Sequence, residues 1–352
     1  MADTRNQATD KSITIYDIAE EAGVSIATVS RVLSGSAKVR ESKKQKIMEI
    51  VEKYNFQPNA VAKSLSMTST KTIGIIAADV RNPFYSALFV AIELAAEKAG
   101  YHVSLANLLG VTTREEEQID LMVQQRVDAI IQMGGSADAA ITAASYSEKA
   151  KAVNRTIPII TTGKIDNTKT HHVCIDDASA TEQLMEHLLS LGHRQIAFVG
   201  GRQDVISTVI KIDKYKEILA KNKLKFRKEY VHFGGYDPET GYEGTQRFLD
   251  LETPPTAIIA VNDFAASGVI RALRDRKKKC PKDVSLVSYD NTYIADLLVP
   301  RLDSVDYNYE LFGQKLVDTA LALIEKKDVP EKQTVDPTLI LRGSSGKAPV
   351  SQ

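Results

Sequence analysis

Apolar residues along the chain follow two rhythms, and the change falls near residue 70. Ahead of it the spacing is helical. Ile15, Ile18, Ala19 and Ala22 share one face, and Thr14 followed three residues later by Asp17 forms a capping-box-like start. Gly23 breaks that helix, Val24 fills the turn, and Ser25 can cap a second helix carrying Ala27, Thr28, Val32 and Leu33. A third helix fits Glu41 to Tyr54, with Ile47, Ile50 and Val51 turned inward. Pro58 suits the first turn of a short fourth helix, Asn59 to Leu65, and Ser66 to Thr70 is a polar linker.

From Thr72 onward, short apolar runs of strand length alternate with helical stretches. The spacing predicts strands at 72–79, 102–106, 129–133, 157–161, 195–199, 257–261 and 284–289. It predicts helices at 85–99, 114–125, 178–191, 212–221, 242–251, 264–278 and 309–326. Such alternation means parallel sheets with helices on both faces. The stretch is more than one sheet normally holds, so it predicts two α/β lobes. Internal repeats and low-complexity tracts are absent. The expected division is an extension at 1–11, a helical domain at 12–57, the fourth helix and linker at 58–71, a two-lobed core at 72–343, and a disordered tail at 344–352.

Charge sharpens this division. The 352 residues carry 45 Lys and Arg against 45 Asp and Glu, a balance that argues against nucleic acid if averaged over the chain. Locally it does not hold. Residues 31–71 hold nine positive charges against Glu41, Glu49 and Glu52, while 12–30 hold Asp17, Glu20 and Glu21 and no Lys or Arg. A local basic segment is what a phosphate-binding module presents, although a solvated helix face gives the same pattern. Two distant cysteines, Cys174 and Cys280, fit neither a disulfide framework nor a CxxC metal site. The polar stretch Met1 to Lys11 lacks the apolar region of a signal peptide, and no apolar run approaches the roughly 20 residues that span a bilayer. The expectation is a soluble cytoplasmic protein without a membrane partner.

Two short helices around a tight glycine turn, followed by a basic segment, have the outline of a helix-turn-helix. Geometry alone leaves an ordinary helical hairpin equally open. The residues themselves go further. Thr14-Ile15-Tyr16-Asp17-Ile18-Ala19, Ala22-Gly23-Val24-Ser25 and Thr28-Val29-Ser30-Arg31-Val32-Leu33 closely resemble the lactose/galactose repressor (LacI/GalR) family. Phe56 to Leu65 resembles that family's hinge helix. Asn82-Pro83-Phe84-Tyr85, Leu191-Gly192-His193-Arg194, Asn262-Asp263 and Ser288-Tyr289-Asp290-Asn291 are similar to its core motifs. The resemblance covers nearly the whole chain. It implies a transcription regulator, most simply a repressor, with an all-α helix-turn-helix domain and an α/β core like the periplasmic sugar-binding proteins. It further implies a homodimer or dimer of dimers on a pseudo-palindromic double-stranded operator, with a small-molecule effector, a sugar or sugar phosphate, between the lobes.

By that resemblance Ile26, Ala27 and Arg31 take the base-reading positions. An Arg guanidinium can pair with guanine O6 and N7, while Ile26 and Ala27 offer apolar contact. Thr14, Ser25, Thr28 and Ser30 carry short hydroxyls suited to phosphates, with capping or packing as the alternative for each. Asn59 stands at the hinge start. Val61, Ala62 and Leu65 match the hinge pattern, with Leu65 either a minor-groove wedge or a buried core leucine. A helix this short is below the length stable alone in water, so it should order only with DNA and a partner chain.

In a two-lobed α/β protein ligands lie beyond the carboxyl ends of the strands. Phe84, Tyr85, Asn262, Asp263, Phe264, Asp290 and Tyr307 fall there. Asp263 could equally be a helix N-cap. The family usually has an Arg in the helix after the fifth strand, where this chain has Lys211 and Lys214. Lys cannot reproduce the bidentate fork, and a single ammonium suits a phosphate or carboxylate on the ligand, or faces solvent. Gly163 replaces a side chain that is often polar, which should enlarge the pocket. No cofactor or metal is expected. The dinucleotide, P-loop and GxSxG fingerprints are missing, and His171-His172 reads as an exposed loop pair. Enzymatic function is therefore not expected. The remaining alternative is a small-molecule sensor without gene-regulatory activity.

Overall fold

The computed structural model describes residues 13–34, 39–56 and 69–349. They fall into two compact units, divided between Thr70 and Lys71.

The first unit holds three helices: α1 (Ile15–Ala22), α2 (Ile26–Ser34) and α3 (Glu41–Lys53). The expected capping box forms at α1: Thr14 N donates to Asp17 Oδ2 at 2.8 Å, and Asp17 N donates to Thr14 Oγ1. Gly23 ends α1 in the left-handed region at φ 71°, where a residue without a Cβ carries no penalty. Ser25 then accepts from Thr28 N at 3.3 Å and starts α2. Ile18, Val29 and Ile47, one from each helix, are fully buried and form the centre of a small core. Asn59, Val61, Ala62 and Leu65, with the expected hinge helix and the 1–11 extension, lie outside the described residues.

The second unit is built on two six-stranded sheets. The first contains β1 (Thr72–Ala77), β2 (His102–Asn107), β3 (Ala129–Met133), β4 (Ile159–Thr161), β5 (His171–Ile175) and β11 (Lys332–Val335), in the order β11-β5-β4-β3-β1-β2. The second contains β6 (Ile196–Val199), β7 (Val231–His232), β8 (Ala257–Ala260), β9 (Ser285–Asp290), β10 (Asp303–Asp306) and β12 (Thr338–Ile340), in the order β12-β10-β9-β8-β6-β7. All pairings are parallel except β10 with β12. Central strands such as β3 and β8 are buried throughout, so they read as continuous apolar runs rather than alternating ones.

Helices cover the sheets. The first lobe carries α4 (Pro83–Lys98), α5 (Glu115–Gln124), α6 (Ala144–Val153) and, returning late in the chain, α12 (Tyr309–Ile324). The second carries α7 (Asp177–Ser190), α8 (Ile206–Lys221), α9 (Pro238–Leu249), α10 (Asp263–Asp275) and α11 (Tyr293–Leu297). α12 reaches α4 closely because Gly313 lies against the Ala91 backbone, where a Cβ would collide. The chain therefore crosses between lobes three times, after β5, β10 and β11.

Two expectations are overturned here. The end of the chain is not a disordered tail through residue 349. Ser344 is fully buried, its hydroxyl donates to Leu286 O at 2.6 Å, and Ala348 N donates to Leu191 O at 2.9 Å. Short polar residues there dock by hydrogen bonds to exposed sheet backbone, which an apolar pattern does not reveal. His171 and His172 are not an exposed loop pair either. They lie on β5, and His172 is buried with its ring nitrogen held below the usual histidine range by burial. Among the described residues no helix is long and apolar enough to cross a membrane.

Candidate functional site

Two surfaces carry chemistry, one in each unit. In the first, α2 buries Val29 and keeps Ser25, Ile26, Ala27 and Arg31 on its exposed side. Ile26 is 41% exposed. Ser25 Oγ lies 2.9 Å from Thr28 Oγ1, and Thr14 Oγ1 donates to Asp17 Oδ2 at 2.6 Å. The capping alternative is thus realised for Thr14 and Ser25. Thr28 and Ser30 are half-buried on the same helix.

The second surface is the cleft at the carboxyl ends of the strands, where the order in each sheet reverses. Phe84 and Tyr85 open α4 there, with Asn82 as N-cap accepting from Phe84 N at 3.1 Å. Phe84 joins the apolar clusters of both lobes, with ring centroids 5.0 Å from Tyr85, 6.1 Å from Tyr307 and 6.0 Å from Tyr309. Tyr85 lies directly over Gly134, whose left-handed backbone and missing Cβ make room for the phenol. The adjoining Gly135 is packed against Glu115, which accepts from Ser136 N at 2.7 Å and fixes the loop that carries Asp138.

Asp138 from the first lobe accepts from Ser207 Oγ of α8 at 3.3 Å, and Ala140 N donates to Asp204 O at 2.8 Å. These bonds tie the two walls together. Lys211, one turn along α8 from Ser207, is 6% exposed. Its Nζ sits 3.0 Å from Asp177 Oδ1 at the first crossover and 4.7 Å from the centroid of the Tyr289 ring. Burial works against the Lys211 charge, but Asp177, with Tyr289 and Asp290 beyond it, holds the ammonium above the ordinary lysine range. Burial, with the nearby charge of Asp177, raises the Asp138 carboxyl to about 7. Asp290, at φ 96°, is 6% exposed, and burial with Asp263 nearby raises its carboxyl well above the usual value.

Comparison with known proteins decides what this arrangement is. Residues 14–59 match the model of bacterial regulatory proteins of the lacI family, and residues 185–345 match the periplasmic binding protein-like domain. The chain is 33% identical over 331 residues to catabolite control protein A of Priestia megaterium, covering 94% of this chain and 96% of that protein. The chain belongs to the LacI family. It is also 28% identical to the HTH-type transcriptional repressor PurR of Glaesserella parasuis, over 93% of this chain and 94% of that one. Its fold superposes on the lac repressor dimer bound to operator and the anti-inducer ONPF, with a TM-score of 0.84 and 26% identity, covering 96% of this chain and all of that one. LacI-family members are DNA-binding transcription regulators and not enzymes.

Within this LacI-family core the structure brings together most of the expected cleft residues and reassigns several. Phe84, Tyr85, Lys211, Asp290 and Tyr307 come together at the strand ends. Lys211 does not stand free for an anion, because its charge is already taken by Asp177. Lys214 points away and pairs with Glu217 at 3.0 Å. Asn262, not Asp263, is the N-cap of α10: it accepts from Ala265 N at 2.8 Å and donates to Tyr236 O at 3.1 Å. Asp263 is fully buried, and Ser288, Ser304 and Thr292 all donate to it, so its oxygens serve the scaffold. Phe264 is half-buried beside it. Gly163 enlarges nothing, since a Cβ there would collide with the Ala137 carbonyl.

Sequence reading missed Asp138, Asp177, Ser207 and Tyr236. Asp138 had a usable signal, as it follows the Gly134-Gly135 pair at the end of a recognised strand. Asp177 had none, because the polar His171–Ile175 stretch does not read as a strand.

Proposed function

We propose that this chain is a cytoplasmic repressor that reads a pseudo-palindromic operator as a homodimer or dimer of dimers, under the control of a small, hydroxyl-rich metabolite bound between the lobes. The observation that carries the reading is the cleft itself. Polar groups from both lobes, half-buried Asp138 on one side and half-buried Ser207 and buried Asp290 on the other, converge beside the packed rings of Phe84 and Tyr307. A molecule bridging them binds one relative arrangement of the lobes better than another, and that difference is what an allosteric ligand needs.

Dimerisation is supported by Val90 and Leu94, one turn apart on α4 and 50% and 52% exposed, beside Leu105 on the edge strand β2. Such a contiguous apolar face is expected to be covered by another surface. Base reading falls to Ile26, Ala27 and Arg31, with Thr14, Ser25, Thr28, Ser30 and Asn59 near phosphates and Val61, Ala62 and Leu65 in the minor groove.

The test begins with an operator selected from random duplexes. Affinity should fall steeply with salt, as expected for several neutralised phosphates. Leu65→Ser should bind with less bending of the duplex. Weak binding that ignores both salt and sequence would instead leave a sensor without gene control.

A further inference from the structure

We infer that the effector of this cleft carries a positive charge, an ammonium group beside its hydroxyls, rather than a neutral or anionic head. The inference rests on the reading of the cleft as an effector site and names the chemistry that site selects.

Three carboxyl groups, Asp138, Asp177 and Asp290, meet a single ammonium, that of Lys211. Asp177 takes Lys211 at 3.0 Å, and Asp138 takes only the Ser207 hydroxyl. Asp290 is 94% buried by its 6% exposure, and among the described residues no donor reaches its carboxylate. The hydroxyls of Tyr307 and Tyr309 beside it are buried and also without a hydrogen-bond partner. A buried carboxylate without partners is costly, which is why burial holds the Asp290 carboxyl above its usual value; a group that supplies both charge and several donors lets it ionise. An ammonium supplies three donors and a charge; a sugar hydroxyl supplies one donor and none; a phosphate or carboxylate adds to the like charge already present.

The walls point the same way. Phe84 packs against Tyr85, Tyr307 and Tyr309 with ring centroids 5.0 to 6.1 Å away, so aromatic rings, whose faces attract cations, stand beside these carboxyl groups. The chain's own Lys211 already adopts this binding mode, with its ammonium 4.7 Å above the Tyr289 ring and on Asp177.

Three probes of one carbon skeleton separate the possibilities: glucamine, sorbitol and sorbitol 6-phosphate, titrated into the full-length protein by calorimetry, with operator affinity measured in parallel. The expected result is glucamine binding about tenfold or more tighter than sorbitol, with sorbitol 6-phosphate weakest. Asp290→Asn should erase the preference. It keeps the shape of the side chain, and an unchanged thermal midpoint confirms that it folds. Equal or tighter binding of sorbitol or its phosphate, a glucamine preference that survives Asp290→Asn, or no saturable binding of glucamine overturns the inference. If sorbitol or its phosphate binds and shifts operator affinity, the effector reading stands without the charge. If glucamine binds with the expected preference and operator affinity does not move, the charge inference stands and the effector reading fails.

Discussion

The two units use polar and apolar groups in opposite ways. On α2 the residues assigned to reading DNA are left in solvent, Ile26 and Arg31 among them, and the helix is held by one fully buried side chain, Val29, against Ile18 and Ile47. In the cleft the working groups are hidden: Asp290 and Lys211 are each 6% exposed, and Phe84 is shared between the apolar clusters of two lobes. An exposed reading surface can lose a side chain with little effect on folding. The buried Lys211–Asp177 pair cannot, because each of its charges is balanced by the other.

The largest expected effect is therefore in the cleft. Lys211→Met keeps the apolar stem of the side chain, removes its ammonium and strands Asp177. Chemical denaturation should show the core destabilised by roughly 3–5 kcal/mol, the usual result of breaking a buried pair by removing one partner. A loss under 1 kcal/mol would place the pair in solvent and collapse the contrast.

Arg31→Ala should do the reverse. Discrimination between operator and an operator altered at one base pair should drop by roughly 1–3 kcal/mol, with the denaturation midpoint unmoved. An equal loss on all sequences would reduce Arg31 to a phosphate contact.

Smaller still is Thr14→Ala. It removes the capping box of α1 and should cost the first unit about 1 kcal/mol, read as an earlier thermal transition of that unit. No change would mean that packing of Ile18 alone holds α1.

The mildest effect is on pH. Asp138 is raised to about 7 by burial, so the folded core holds a proton that the unfolded chain has released. Folded protein then binds more protons than unfolded between the ordinary carboxylate value and about 7, and stability falls as pH rises through that window. Asp138→Asn should flatten the profile there relative to the parent; an unchanged slope would assign the window to other groups.

Some of this was legible in advance. The capping box at Thr14 and Asp17 and the glycine turn at Gly23 are local, involving residues at most a few positions apart, and each took the form that spacing predicts. The buried strands β1, β3, β8 and β9 were equally plain as apolar runs. The polar or very short strands β5, β7 and β11 were not, because they form by pairing with a sheet already in place rather than by their own pattern.

Sequence alone determined the alternation of the central strands with most of their helices, the division into a helical unit and a two-lobed core, and the strand ends where a ligand site must lie. Those follow from periodicity and residue type. What Lys211 faces, why Gly163 has no side chain, and that Asn262 rather than Asp263 caps α10 were decided only when segments distant in the chain came within hydrogen-bond reach. Lys211 and Asp177 stand on separate helices, and only the packing of α7 beside α8 turns an apparent anion site into a closed ion pair. Charge balance in a buried cleft is a property of the assembled walls, so it could be read only from them.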